Sequence, residues 1–308
     1  MDSPSRVPVL SVVVIAVYHS YHLARCLTAL AEQANPPEME IIVVYHEGTG
    51  DISFLKEGFP SNRFYRATGL LTQARMLALG ITHAHGEIVA LTVDHCTPEK
   101  DWCARIVDAH QGPHAAVGGA LEKGDQADTA VNWAVHLYDY CSYGYYQNPV
   151  HRGQARELSD CNVSYKRKVL TDLVDYWSEE FHVPLINRAL LAHGEKLWFS
   201  PDLLVYQHRS IDYRRAASVA FRRGRAFASA RLRKFSLAKR ILYTILCPLV
   251  PVRQMGRLIV NTVPKRSHLN ALWRAFPFIF LFSTLWSWGE FLGLLAGRVN
   301  YRISVVEE

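Results

Sequence analysis

Apolar residues in the first hundred positions fall into short unbroken runs, and the segments between them carry helical spacing. Val9–Val17 is a β-branched run without alternation, the pattern of a strand buried on both faces of a parallel sheet. Residues 19–34 place Leu23, Leu27 and Leu30 on one side of a helix. Met39–Tyr45 reads as a second buried strand, a turn-rich stretch follows at 47–51, and residues 63–67 make a short third strand. A helix carrying Leu70, Leu71, Ala74, Leu77, Ala78 and Ile81 runs to Gly86, and Glu87–Val93 is the next strand, leading into Asp94-His95-Cys96-Thr97-Pro98. Strand and helix alternating in this way predict right-handed crossovers and a doubly wound, mostly parallel α/β sheet.

After residue 114 the alternation loosens. Ala115–Leu121 is a glycine-containing strand, 127–147 is an aromatic-rich helical stretch holding Trp133, Tyr138, Tyr140, Tyr143, Tyr145 and Tyr146, and Asp160–Lys166 is another strand. A helix covers 181–193 with Gly194 as its stop. Trp102, Trp177 and Trp198 could stack on a ligand ring, but buried core tryptophan is the commoner outcome.

The pattern then changes character. Residues 209–240 hold eleven Lys and Arg and one acid, Asp212, with Arg214, Arg215, Arg222, Arg225 and Arg233 on one arc of a wheel and Ala216, Ala220, Phe221, Phe227 and Phe235 on another. That is the pattern of an interfacial amphipathic helix. Ile241–Val252 is apolar but interrupted soon after by Arg253 and Arg257, which suits an interfacial or re-entrant segment. Residues 275–297 carry one charge, Glu290, and are long enough to span a bilayer or lie deep in one. Gly289, Gly293 and Gly297 form a close-packing face, and Trp273, Trp286 and Trp288 suit headgroup level.

Charge sharpens this division. The chain of 308 residues has a net charge of +6, but residues 1–204 carry 16 Lys and Arg against 24 Asp and Glu, a net of −8, whereas residues 205–308 carry 18 against 4, a net of +14. We therefore expect an α/β domain over 1–208 and basic, apolar, membrane-associated helices over 209–308, drawn to an anionic membrane surface. Lys and Arg beside the membrane would keep the first domain on the cytoplasmic side. Nucleic-acid binding is the weaker reading of the arginines, and no nucleic-acid partner is expected. The polar start MDSPSRVP and a following apolar run of nine residues give no sign of a signal peptide. The six cysteines show no C-x-x-C pair and read as reduced thiols, most of them core filler.

Sheets of this class bind ligands at the carboxyl ends of their strands, which puts Val17–His19, Tyr45–Glu47 and Asp94–Cys96 on one rim. Neither G-x-G-x-x-G after the first strand nor a P-loop is present, so dinucleotide oxidoreductase and P-loop NTPase readings are weak. Seven segments then occur in a telling order: IAVYHS (15–20), VVYHEGTGD (43–51), QARMLALGITHAHGE (73–87), LTVDHCTPEKDW (91–102), VGG (117–119), NVSYKR (162–167) and VYQH (205–208). Together they resemble the family 2 glycosyltransferases of the GT-A fold, a Rossmann-like architecture, over about residues 9–208.

That resemblance implies transfer of a sugar from a nucleotide-diphosphate donor, with inversion, and the basic apolar tail points to a lipid-linked or cell-envelope acceptor. It places Val17, Tyr18, His46, Glu47, Arg75 and Asp94 around the donor, with His46 or Glu47 standing where the family has an Asp. Its Asp-x-Asp metal motif registers on Val93-Asp94-His95, so Asp94 and His95 are the candidate ligands of a divalent cation, Mn²⁺ or Mg²⁺; histidine suits Mn²⁺ and suits Mg²⁺ poorly. The acidic pair at the start of the helix after NVSYKR maps onto Glu179-Glu180-Phe181-His182, giving Glu180 as general base, then His182 and Glu179. The incomplete acidic motifs also leave open a non-catalytic relative that binds a sugar nucleotide or a partner at the membrane.

Overall fold

A computed structural model describes residues 7–69, 72–125, 128–141, 152–232, 236–263 and 268–296. The elements run β1 (Leu10–Ile15), α1 (Ser20–Ala31), β2 (Met39–Tyr45), α2 (Ser53–Gly58), β3 (Arg63–Arg66), α3 (Gln73–Thr82), β4 (Ile88–Val93), β5 (Cys96–Pro98), α4 (Trp102–Ala109) and β6 (Ala116–Lys123). They continue with α5 (Ala130–Cys141), β7 (Gly153–Ala155), β8 (Val163–Lys166), α6 (Arg167–Asp172), α7 (Val174–Trp177), α8 (Val183–Ala192) and β9 (Leu197–Gln207). Four helices close the described chain: α9 (Tyr213–Leu232), α10 (Leu237–Leu246), α11 (Val250–Thr262) and α12 (Leu269–Ala296). Two compact units result. The described residues 7–124 and 152–208 form one, and 125–141 with 209–296 form the other, so α5 belongs with the C-terminal helices.

The first unit is built on a nine-stranded sheet in the order β3-β2-β1-β4-β8-β6-β9-β5, with β7 also paired to β9. β3, β2, β1 and β4 are mutually parallel, with Ile15 level with both Val44 and Val93. β8 runs antiparallel to both β4 and β6, and β6 pairs in parallel with β9. Every residue of β1 and β4 is buried, which is why both read as continuous apolar runs. α1 covers the sheet through Leu23, Cys26, Leu27 and Leu30. α3 approaches so closely that a Cβ on Gly80 would meet Val13 Cγ1 at 2.3 Å. α8 ends as expected: Gly194 takes φ +80°, and the Glu195 N–H reaches back to the Leu190 carbonyl at 3.0 Å.

Asn162, on the approach to β8, ties three segments together. Its amide donates to the carbonyls of Ala120 and Leu203 and accepts from Trp102 Nε1 at 3.0 Å. Trp102 is fully buried by this arrangement, Trp177 is buried and donates to the Leu170 carbonyl, so both are core residues, and the half-buried Trp198 stacks on His114.

In the second unit α9 and α12 lie in backbone contact. A Cβ on Gly224 would fall 1.9 Å from the Trp286 carbonyl oxygen, one on Gly289 would fall 2.1 Å from that of Phe221, and one on Gly293 would meet Ala228. Gly289 and Gly293 thus occupy the close-packing face that their spacing predicts; Gly297, and the aromatic run beyond Cys141, lie outside the described residues. Ala134, Leu137, Val219, Ala220, Met255, Leu258, Leu272, Ile279 and Phe282 form the unit's core.

Asn162→Ala strands two buried carbonyls and the Trp102 N–H at once. It is expected to cost roughly 2–4 kcal/mol of unfolding free energy, read from the shift of the urea midpoint at constant slope.

Candidate active site

Three parallel strands end level with one another and deliver their next residues to one rim. The chain beyond β1 stays in the ladder, with Ala16 N–H on the Val44 carbonyl and Asp94 N–H on the Ile15 carbonyl. After β4 the chain turns sharply at Asp94-His95 into β5. The Asp94 carboxylate is buried; Oδ2 accepts the Tyr18 N–H at 2.6 Å, and Oδ1 stands 3.2 Å from His95 Nδ1. The Tyr18 and His95 rings meet edge to face at 4.8 Å. Val17, Tyr18, Asp94 and His95, picked out by the sequence, therefore share one corner.

His46 follows β2 on the same rim. Its Nδ1 accepts the Gly48 N–H at 3.0 Å and its own N–H donates to Thr49 Oγ1, a reciprocal cap for the short turn Glu47–Thr49. Glu47 is exposed and ion-pairs with Arg66. His22, in the first turn of α1, packs against Tyr18. Burial lowers the basicity of both His22 and His46, and the Asp94 charge acts on both rings in the opposite sense. His46 Nε2 and His22 Nδ1 are buried and meet no protein partner, and buried ring nitrogens of that kind suit a polar ligand.

α3 runs antiparallel to the strands it covers, so its first turn starts at this same rim. Thr72 caps it by accepting the Arg75 N–H at 3.1 Å. Arg75 Nε donates to Glu180 Oε1 at 3.1 Å, His182 Nε2 donates to Glu180 Oε2 at 3.1 Å, and the Phe181 N–H is fixed on the Ala74 carbonyl at 2.8 Å. The Glu180 carboxylate is thus held between two donors, and it stays on the surface. The His182 hydrogen bond, the largest influence, holds Glu180 below the usual carboxylate value; partial burial opposes this, and Arg75 adds to the lowering. Glu179 is exposed beside it.

Two further features of the corner escaped the sequence reading. His208, which ends the VYQH segment, places Nε2 2.6 Å from Thr97 Oγ1 and donates its backbone N–H to the His95 carbonyl at 2.7 Å. Its ring fills the space a Cβ on Gly124 would need, at 2.2 Å. His22 carries a weak signal, since His19 and His22 are three apart at the start of a helix. His95, Cys96 and Cys161 also place one potential ligand atom each within 4.8 Å of one another. Burial first, and the neighbouring Cys161 second, push the Cys96 thiol well above its ordinary value, so it packs as a protonated core group.

The chain matches the model of Glycosyl transferase family 2 over residues 11–174. It is a family 2 glycosyltransferase. The match runs from β1 to the start of α7 and includes the rim built by β1, β2, α3 and β4. Over its length the transferase is 22% identical to a dolichyl N-acetyl-alpha-D-glucosaminyl phosphate 3-beta-D-2,3-diacetamido-2,3-dideoxy-beta-D-glucuronosyltransferase of Methanococcus voltae, in an alignment of 326 residues covering 95% of this chain and 99% of the relative. Its fold is shared with a mannosyltransferase of Pyrobaculum calidifontis, PcManGT, solved with GDP-Man and Mn²⁺, at a TM-score of 0.50 and 17% identity, covering 95% of this chain and 86% of that one.

If Glu180 is the base, its lowered value predicts a pH signature. With Glu180 as base, activity is retained at weakly acid pH and falls only below the ordinary carboxylate value of about 4.3. The stability that His182 and Arg75 lend the carboxylate follows the same course, present above the unfolded value and lost as pH falls through the lower folded one. His182→Ala should move the acid limb of the pH–rate profile to higher pH, and Arg75→Ala should move it the same way by less. An unmoved limb in both variants would remove Glu180 from the titration.

Proposed function

We propose that the transferase moves a sugar from a nucleoside-diphosphate donor to a lipid-linked acceptor at the cytoplasmic face of a membrane, with inversion at the anomeric carbon. The observation that carries this is the pairing of a donor corner at Asp94 with a carboxylate, Glu180, anchored to the same rim through α3. Glu180 takes the proton from the acceptor hydroxyl as the oxygen bonds to the anomeric carbon; the bond from that carbon to the diphosphate oxygen breaks, and the nucleoside diphosphate leaves. Arg75 and His182 orient the base and keep it ionised. His46, His22 and Tyr18 shape the nucleotide pocket.

Asp94 and His95 form the pair that would hold a divalent cation. One carboxylate oxygen already takes a backbone N–H and the other faces an imidazole, yet each retains a lone pair. A donor set of one carboxylate and one imidazole fits Mn²⁺, and it departs from the near-all-oxygen octahedron that Mg²⁺ demands. A cation bound there supplies positive charge to the leaving diphosphate.

The lipid-linked acceptor draws on two observations. The Methanococcus voltae relative is named for a dolichyl-phosphate-linked acceptor, and α12 is long and apolar enough to cross a membrane by length and composition. The basic residues of 209–240 support a cytoplasmic placement.

The test is donor binding and turnover by the detergent-solubilised full chain across UDP- and GDP-sugars. Mn²⁺ should support turnover better than Mg²⁺, and Asp94→Ala should abolish the difference. Glu180→Gln should lower kcat by about 10²–10⁴ with donor affinity little changed. Binding of no donor on the panel, with or without Mn²⁺, would sink the proposal.

A further inference from the structure

α10 is turned inside out. None of its residues is buried, and its apolar side chains face away from the unit, with Leu237 72%, Ile241 53%, Leu242 52% and Ile245 68% exposed. The polar side is the one packed inward. Arg240 donates from Nε to the Leu294 carbonyl at 2.6 Å and from Nη2 to that of Leu295 at 2.8 Å, and Tyr243 packs on Ala228, Cys247 and Leu294. In water the hydrophobic effect favours the opposite arrangement. Leu249, Val252, Ile259 and Val260, and Val263 just past α11, are also exposed.

α12 shows the same division along its length. Trp273, Phe280 and Leu281, Trp288 and Leu295 are exposed and recur every seven or eight residues, two helical turns, so they form one outward stripe. The opposite side is covered by α5, α9 and α11. Its 28 residues reach about 42 Å, more than enough to cross a bilayer. Crossing, however, would take α9 along. The two helices touch backbone to backbone at Gly224, Gly289 and Gly293, and α9 carries Arg214, Arg215, Arg222, Arg223 and Arg225. Arginine is among the costliest residues to place in hydrocarbon.

We propose that this unit is a monotopic membrane dock: α12 does not cross, and the outward apolar surface of α10, α11 and α12 lies in the plane of an anionic leaflet. Charge complementarity selects a bilayer as the occupant. Exposed Lys239, Arg253 and Arg257 interleave with the exposed apolar positions, where their stems follow the apolar surface and their charges reach lipid phosphates. Trp273 and Trp288 supply rings suited to the headgroup boundary. The inference rests on the membrane-bound reading above and adds which surface inserts and how deeply.

Two measurements on the full chain test it. In flotation with phosphatidylcholine vesicles, with or without phosphatidylglycerol, the wild type should float with the anionic vesicles. Ile241→Glu with Ile245→Glu should weaken that binding at least about tenfold while leaving the melting temperature and the turnover of a detergent-dispersed acceptor unchanged. Second, single cysteines at Asn270 and Ala296, near the two ends of α12, are labelled with a membrane-impermeant maleimide in sealed vesicles from expressing cells, against the native thiols as background. Both ends should react from the same side. Ends on opposite sides overturn the in-plane placement while leaving membrane binding intact. Failure to float with any vesicle overturns the membrane-bound reading itself. A double variant that floats like wild type removes α10 from the contact, and lipid-independent dimerisation that the double variant breaks assigns the surface to a second copy of the chain.

Discussion

A buried carboxylate that accepts a backbone N–H fixes two chain turns at once. Asp94 stands where β4 leaves the parallel part of the sheet for β5, and Tyr18 stands where β1 gives way to α1. With one oxygen on the Tyr18 N–H and the other against His95, the carboxylate sets the positions of both turns relative to the strand ends below them. The rim residues follow from that: His22 reaches the corner because α1 starts there, and His208 because its backbone is held on the His95 carbonyl. A lone charge this deep would be costly, so the hydrogen bonds around it are a condition of the fold as well as of the pocket.

The parallel half of the sheet was legible because its evidence is local. β1 and β4 are runs buried on both faces, β2 is buried over Ile41–Val44, and its observed bounds, Met39–Tyr45, are the predicted ones. β5 and β7 have three residues each, too few for any period, and exist only because distant β9 offers them partners. The site divides in the same way. Asp94, His95 and His46 could be placed on the rim because a strand end is a place that sequence can mark. That Arg75 and Glu180 touch is a contact across 105 residues, brought about by Phe181 N–H on the Ala74 carbonyl, and no spacing announces it. His208 ends the VYQH segment, and its contact with Thr97 arises only when β9 folds beside β5.

The C-terminal charge reversal also has a structural counterpart. The basic residues of α9 sit on a helix whose small residues allow α12 to touch it, and the apolar residues released from core duty accumulate on α10 and on the outer stripe of α12. A unit that buried all of its apolar surface would have no reason to keep Arg240 facing inward.

The glycine contacts between α9 and α12 carry a mechanical consequence. With carbonyl oxygens seated where Cβ atoms would otherwise stand, on both helices, a slide of one residue in either direction brings a side chain onto a carbonyl. The pair therefore behaves as a stiff plate with a single setting.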